Sequence, residues 1–295
     1  MRKLLLSSIV ALSLLGSSAY ALDANASSKS VSANAVQVAK DSANKQKGDV
    51  KIIKEAVESI ALVAETIKYI DENKKDEAIK SLEKAIGKIE VVLSDPKAPA
   101  LIPVDAKVVV AKFLGDAYTA QNAVITSIAL LTNKRVQEAR KIVQTLVDEI
   151  DFTTINLPLA SYPAALKLAA KNLHEGKLQE AKEVLATALN TFVAITTVTP
   201  IGILEAQDLI IAASKIAKTD KKLALSHLAA AKEALKRSEA LGYTSYSDTT
   251  YKMLIEEIRK VEKEIKGKNE AEKLFEALIE KIKEFKEKAL KTTQK

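Results

Sequence analysis

The side chains able to do chemistry are few. His174 and His227 are the only two imidazoles, and no cysteine accompanies them. A transition-metal site needs three or four His, Cys or carboxylate ligands at helical spacing. With no His-x-x-x-His pair and no thiol, neither a metal centre nor a thiolate nucleophile is expected. His174, followed by Glu175-Gly176, suits a helix end, where an imidazolium meets the negative pole of the dipole. Both histidines are expected beside turns, and imidazole changes charge between about pH 5 and 8. The pair is therefore the candidate pH-sensing element. No Gly-rich phosphate loop or Gly-x-Ser-x-Gly elbow occurs. The carboxylates stand four residues ahead of lysines, as in Glu256 and Lys260, Glu262 and Lys266, Glu284 and Lys288. That order supports exposed helix faces. No catalytic residue and no cofactor is predicted, and a non-enzyme is the leading expectation. An enzyme assembled from carboxylates distant in the chain stays open.

The tyrosines are the other reactive group. Tyr243, Tyr246 and Tyr251 are three of seven, and they flank Gly242. They suit either the capping of a helix hairpin by ring packing or a recognition patch, since Tyr offers contact area with a polar handle. Pro158, Tyr162 and Pro200 complete the candidate patch if the hairpins lie in register.

The elements that position these residues read as helices. Met1-Arg2-Lys3, an apolar run from Leu4 to Leu15 and the small residues up to Ala21 form an export signal, 1–21, cleaved after Ala21 into a periplasmic space. Residues 22–48 lack large apolar side chains and are expected to be a disordered leader. A helical-hairpin domain spans 49–267, and a charged helix spans 268–295. Within the domain, apolar residues recur at three- and four-residue spacing from Val50 to about Asn73 and from Lys75 to Leu93. Prolines 96, 99 and 103 break the pattern, which resumes beyond Pro103 through Ala111, Leu114, Ala117 and Leu131. A turn at 132–134 leads to a helix through Ile150, with Pro158 and Pro163 the next break. Helices 164–173, 177–194, 201–217, 221–241 and 247–266 follow, with Gly176 and Gly242 as C-caps. Alanines 78, 139, 181 and 224 share a context in which Leu82, Val143, Leu185 and Leu228 stand four residues later. The last two gaps are 42 and 43 residues, which fits one helix hairpin per unit. The fold class is all-α: repeated antiparallel helix hairpins forming a bundle or short irregular stack. The last helix carries Phe275, Leu278, Ile279, Ile282, Phe285 and Ala289 on one side. That stripe either docks on the preceding hairpin or pairs with another subunit.

Composition excludes other classes. Aromatics are 4%, Trp is absent, and the formal charge of +7 is spread over alternating Lys and Glu. Nucleic-acid binding wants clustered cations with stacking rings, so no nucleic acid is expected as partner. Beyond the signal no stretch approaches spanning length without charges, so no stable membrane insertion is expected either.

Leu157-Pro158, Thr199-Pro200-Ile201, Gly176-Lys177-x-x-x-Ala181 and Ala240-Leu241-Gly242-Tyr243 followed by Asp248-x-x-Tyr251 occur in that order. In these motifs the chain resembles the YfdX family, over roughly Val50 to Lys266 and most strongly from Leu157. The resemblance implies an exported, mostly helical protein linked to envelope stress and to acid or drug tolerance, with no settled catalytic activity. The expected function is a non-enzymatic, chaperone-like or protective role. Its partners would be proteins or small hydrophobic molecules held in grooves between helix pairs. The alternative is a structural module that forms a homo-oligomer through its last helix.

Overall fold

The computed structural model describes residues 22–244 and 248–294, the last four by their backbone alone. The expected export signal at 1–21 and Tyr246 lie outside the described residues. The chain is predominantly helical, as the periodicity predicts. Eight helices form four consecutive hairpins: α2 (Lys54–Asp71) with α3 (Lys75–Leu93), α4 (Ala117–Thr132) with α5 (Val136–Val143), α6 (Tyr162–His174) with α7 (Leu178–Leu189), and α8 (Ile201–Ile216) with α9 (Lys221–Ala240).

The repeat is visible in the turns. The first three hairpins reverse on a left-handed residue, Asn73, Lys134 and Gly176, at φ 56°, 58° and 77°. The next amide reaches five residues back: Lys74 to the Tyr69 carbonyl at 2.9 Å, Arg135 to Leu130 at 2.9 Å and Lys177 to Asn172 at 2.8 Å. These bonds satisfy carbonyls that the helix end leaves orphaned. Five residues beyond each turn stand Ala78, Ala139 and Ala181, all fully buried. A methyl group there lets two helices approach closely.

Each of the first three hairpins is followed by a strand, which the periodicity did not disclose. β1 (Leu101–Ala111), β2 (Glu149–Pro158), β3 (Val193–Pro200) and β4 (Lys291–Gln294) form one antiparallel sheet in that order. Residues 103–111 and the stretch up to Ile150, expected as helix, are corrected here. So is the helix expected to run on to Ala194, since α7 stops at Leu189. Val108-Val109-Val110, Thr153-Thr154-Ile155 and Ile195 to Thr199 are β-branched runs, which fit a pleated surface better than a helix. Pro103 sits where the β1–β2 register shifts, a position that tolerates its missing donor.

Two helical cores flank the sheet. Hairpins α2–α3 and α6–α7 make one bundle around Val63, Leu82, Ile89, Leu166, Leu173 and Leu185. The second joins α8 and α9 to α1 (Ser28–Asp49), α10 (Thr249–Lys266) and α11 (Glu272–Ala289). The expected disordered leader at 22–48 is corrected by α1. Ala35, Ala39 and Ala43 form a buried small-residue stripe, and the last two pack against Ile150, Ile201 and Leu204. Large side chains are not needed where backbones approach this closely. The last helix docks within the chain, with Phe275, Leu278, Ile282 and Phe285 buried in the second core. This removes the stripe that the oligomer alternative relied on. Lys286 joins them, its ammonium lowered by burial and held back by Asp208 of α8, whose own carboxyl burial raises.

Helix α8 lies very close on α9 at Gly202. A Cβ on Gly202 would lie 2.3 Å from the Ser238 hydroxyl and 2.6 Å from the Ala234 carbonyl. Gly87, on the exposed side of α3, meets nothing within 4 Å. Gly202→Ala is expected to destabilise by about 2 kcal/mol in urea unfolding through overpacking. Gly87→Ala should stabilise by roughly 0.5–1 kcal/mol through helix propensity alone. Equal effects of the two would contradict the close approach.

Candidate functional site

The most heavily built polar constellation joins the sheet to the second bundle. Asp148, just before β2, is fully buried. Its Oδ2 accepts from Arg237 Nε at 2.9 Å and its Oδ1 from the Phe113 amide at 3.3 Å. Arg237 of α9 reaches on with Nη2 to Glu205 Oε2 of α8 at 2.5 Å. Lys112, just past β1, donates to the other Glu205 oxygen at 2.8 Å. The Asp148 backbone is used as well: its carbonyl accepts from the Ile201 amide at 2.8 Å, and its amide donates to Tyr243 Oη at 2.9 Å. The Tyr243 hydroxyl then donates to Glu149 Oε2 at 2.7 Å.

Burial raises the Asp148 carboxyl, and the Arg237 guanidinium works against that rise. For Arg237, burial opposes the charge, but Asp148 and Glu205 outweigh it and hold the group above its ordinary value. Two anions and two cations thus neutralise one another, and they leave no free acid or base pointing at a cavity. Sequence reasoning missed this cluster, although signals existed. Glu205 stands among Ile203, Leu204 and Leu209, and a carboxylate on so apolar a helix needs a partner. Arg237 is one of five arginines in a chain that otherwise uses lysine, as a forked donor between two acids requires.

The candidate patch does not assemble as one surface. Pro200 pairs with Glu149 at one end of β2, and Tyr243 binds that same Glu149. Pro158 and Tyr162 belong to the other end, where Leu101 pairs with Pro158. Across a ten-residue strand the two ends are about 30 Å apart. Pro200 and Tyr162 are buried. Burial pushes the Tyr162 phenol up to about 12, with the Ser59 hydroxyl pulling the other way. Tyr251 lies in the second core beside the Asp248 cap of α10, and it lines a separate cleft. The histidines also part company. His174 is exposed at the end of α6, whereas His227 is buried in α9. The His227 Nε2 donates to the Ala24 carbonyl at 3.1 Å, which assigns the proton there and leaves Nδ1 to accept from the Ser28 hydroxyl at 2.9 Å. That imidazole clamps the chain leading into α1.

Two concavities could take a ligand. A cleft of about 460 Å³ between α4, α9 and α10 is lined by Tyr118, Tyr251 and Ile255, with Lys236, Glu239 and Arg259 around them. A groove of about 550 Å³ between α6 and α7 is lined by Ala165, Leu168, Val184 and Ala188, with Glu180 and Glu183 beside them. Among the described residues no three His, Cys, Asp or Glu side chains group closely enough to hold a metal ion. No described helix is long and apolar enough to cross a membrane.

Arg237→Met keeps the length and strips the charge, leaving Asp148 buried without its cation. It is expected to cost about 3–5 kcal/mol in denaturant unfolding, and a loss below ~1 kcal/mol would show the cluster to be dispensable. Asp151 of β2 makes a pH prediction. Burial, then the neighbouring Glu149, raise its carboxyl from 3.8 to about 6 against the pull of Lys107, and its Oδ1 has no partner among the described residues. A raised carboxyl favours the fold while protonated. Its contribution is present below 3.8 and lost as pH rises through about 6. Asp151→Asn should raise the unfolding midpoint at pH 7 by ~2 °C and leave it unchanged near pH 4. An unaltered midpoint at neutral pH would count against the burial argument.

Residues 59–198 match the family model described as YfdX protein. The match begins within α2 and ends within β3, so the motifs at Thr199 to Ile201, Ala240 to Tyr243 and Asp248 to Tyr251 fall beyond it. Among solved structures, YfdX of Salmonella Typhi is 18% identical, over 50% of this chain and 91% of that one, with a TM-score of 0.35. No curated protein matches. From α2 into β3, the chain is similar to the YfdX family.

Proposed function

We propose that this is a non-enzymatic protein exported to the periplasm, where it holds small apolar molecules or apolar protein segments between paired helices in a protective, stress-related role. The observation that carries the reading is the α6–α7 groove, whose accessible surface is mostly apolar, with Ala164, Ala165, Leu168, Val184 and Ala188 set among Ser161, Thr187 and Thr191, and whose Leu168 is 49% exposed. A surface of this kind excludes water from an apolar guest, while the nearby carboxylates favour a guest with a polar or cationic end. The export signal read at 1–21 supports the compartment. The mutual neutralisation of Asp148, Glu205, Arg237 and Lys112 supports binding over catalysis, because the buried Asp148, Glu205 and Arg237 are spent on holding elements together.

The test uses protein recovered from a periplasmic extract, whose first residue is expected to be Leu22. It should slow the aggregation of a heat-denatured model client, and Leu168→Glu, a change at a half-exposed position, should remove most of that protection without altering the helical circular dichroism. Protection equal in both proteins, or absent from both, would overturn the groove. Recovery only from the cytoplasm with residues 1–21 intact would overturn the compartment.

A further inference from the structure

β1 is an open edge of the sheet. It pairs with β2 on one side and has no strand on the other among the described residues. An edge strand leaves part of its amides and carbonyls turned outward, without a ladder partner. The first half of this edge is closed. The Pro103 carbonyl accepts from the Ile53 amide at 3.3 Å, and the Ala106 amide donates to Asp105 Oδ1 at 2.8 Å. Beyond the strand the chain turns away, with the Phe113 amide on Asp148 and the Lys112 ammonium on Glu205. Between these points, residues 107–111 have no hydrogen bond other than the β2 ladder among the described residues.

Charged side chains blunt most natural edges. Here Lys107 alone does so, and Val108, Val109, Val110 and Ala111 follow it. Successive side chains of a strand point to opposite faces. Val109 is 47% exposed and Val110 37%, so this edge is apolar and open on both faces. A strand laid along it must be apolar on both faces too. Runs of that kind lie in the interior of folded proteins and come within reach when a chain is unfolded. Lys107 narrows the choice further, because it is exposed and makes no ion pair among the described residues. If two copies paired antiparallel over this stretch, Lys107 would fall opposite Ala111 and its charge would stay unmet. A guest strand with a carboxylate at that place meets it, and such cross-strand pairs are favourable.

We propose that the outer edge of β1 at residues 107–111 takes an extended segment of an unfolded protein by antiparallel strand addition, the segment being apolar on both faces with an Asp or Glu opposite Lys107. Main-chain hydrogen bonds supply the affinity, and the exposed valines with Lys107 select the guest. The proposal rests on the protective reading for its class of guest, but it does not use the α6–α7 groove.

Fluorescence anisotropy of a labelled peptide with the full chain tests this. The pairing stretch of the peptide is four β-branched residues and then a glutamate, which antiparallel pairing sets opposite Lys107. It is expected to bind with a dissociation constant on the order of 100 μM. Alternate amides of the peptide are N-methylated in two settings. The one that blocks the edge facing β1 should abolish binding, and the other should preserve it. Val109→Lys with Val110→Lys should weaken binding roughly tenfold. Lys107→Glu should weaken it about two- to fivefold, and a peptide with lysine in place of the glutamate should recover that loss. Leu168→Glu should change nothing, which separates the edge from the groove, and so should Val91→Lys, 58% exposed on α3. Circular dichroism is recorded for each variant, and the two methylated peptides decide the matter if the double variant loses its fold. No binding, equal binding of the two methylated peptides, or binding that survives the double variant overturns the proposal. Loss of binding in Leu168→Glu alone overturns it as well and seats the peptide in the groove. Protection of every amide of residues 107–111 from hydrogen exchange before peptide is added overturns it in favour of a second copy on the edge.

Discussion

Burying Asp148, Glu205 and Arg237 together is the constraint on which the rest of the molecule depends. Each ion taken from water costs several kcal/mol, and only a complete set of partners offsets that. The partners come from five places: the end of β1, the residue before β2, α8, α9 and the turn that follows α9. Aliphatic cores of Ala, Leu and Ile tolerate small slides of one helix on another, because such contacts are non-directional. The forked guanidinium between two carboxylates does not. It accepts one geometry and so sets the sheet against the second bundle. Gly202 acts in the same place, because α8 can bring Glu205 to Arg237 only if it lies almost in contact with α9.

Around that junction one unit is used repeatedly, a hairpin followed by a strand. The shared parts are those that local chemistry dictates: a left-handed turn residue, an amide reaching five back, and an alanine five ahead. What differs is what each hairpin meets. The α2–α3 and α6–α7 copies meet each other, α4–α5 meets chiefly α9 among the described residues, and the fourth hairpin, α8–α9, which has neither the left-handed turn nor a following strand, meets α1 and the terminal helices. The same local rules thus yield a closed bundle in one place and a hairpin with an exposed face in another.

Much of this was legible beforehand, and the omissions have physical causes. Strong 3.6-residue periodicity identified α3 at Lys75–Leu93 with its observed bounds, and Gly176 and Gly242 were recognisable as left-handed caps. The strands escaped because their apolar residues are continuous where both faces are partly covered, as in Val108-Val109-Val110, so no clean alternation announces them. α1 escaped because its buried stripe is made of alanines, which read as low hydrophobicity although they suit close packing. The tyrosines misled in a different way. Nearness to Gly242 in the chain suggested one patch, but a strand separates Pro158 from Pro200, and Tyr243 is spent on Glu149. Buried charge was the least legible feature of all, since partners 57 and 89 residues from Asp148 share no local pattern.

The His227 clamp carries a consequence for the order of assembly. Its two partners, Ala24 and Ser28, are 203 and 199 positions away in the chain. A helix with little intrinsic apolar drive therefore leaves synthesis long before the imidazole that secures it exists. Contacts of such separation slow a helical protein towards the rates of sheet-rich ones. During that interval the alanine stripe of α1 and the matching surface of α8 are both uncovered, a window in which a holding factor or a neighbouring nascent chain competes for the same seat.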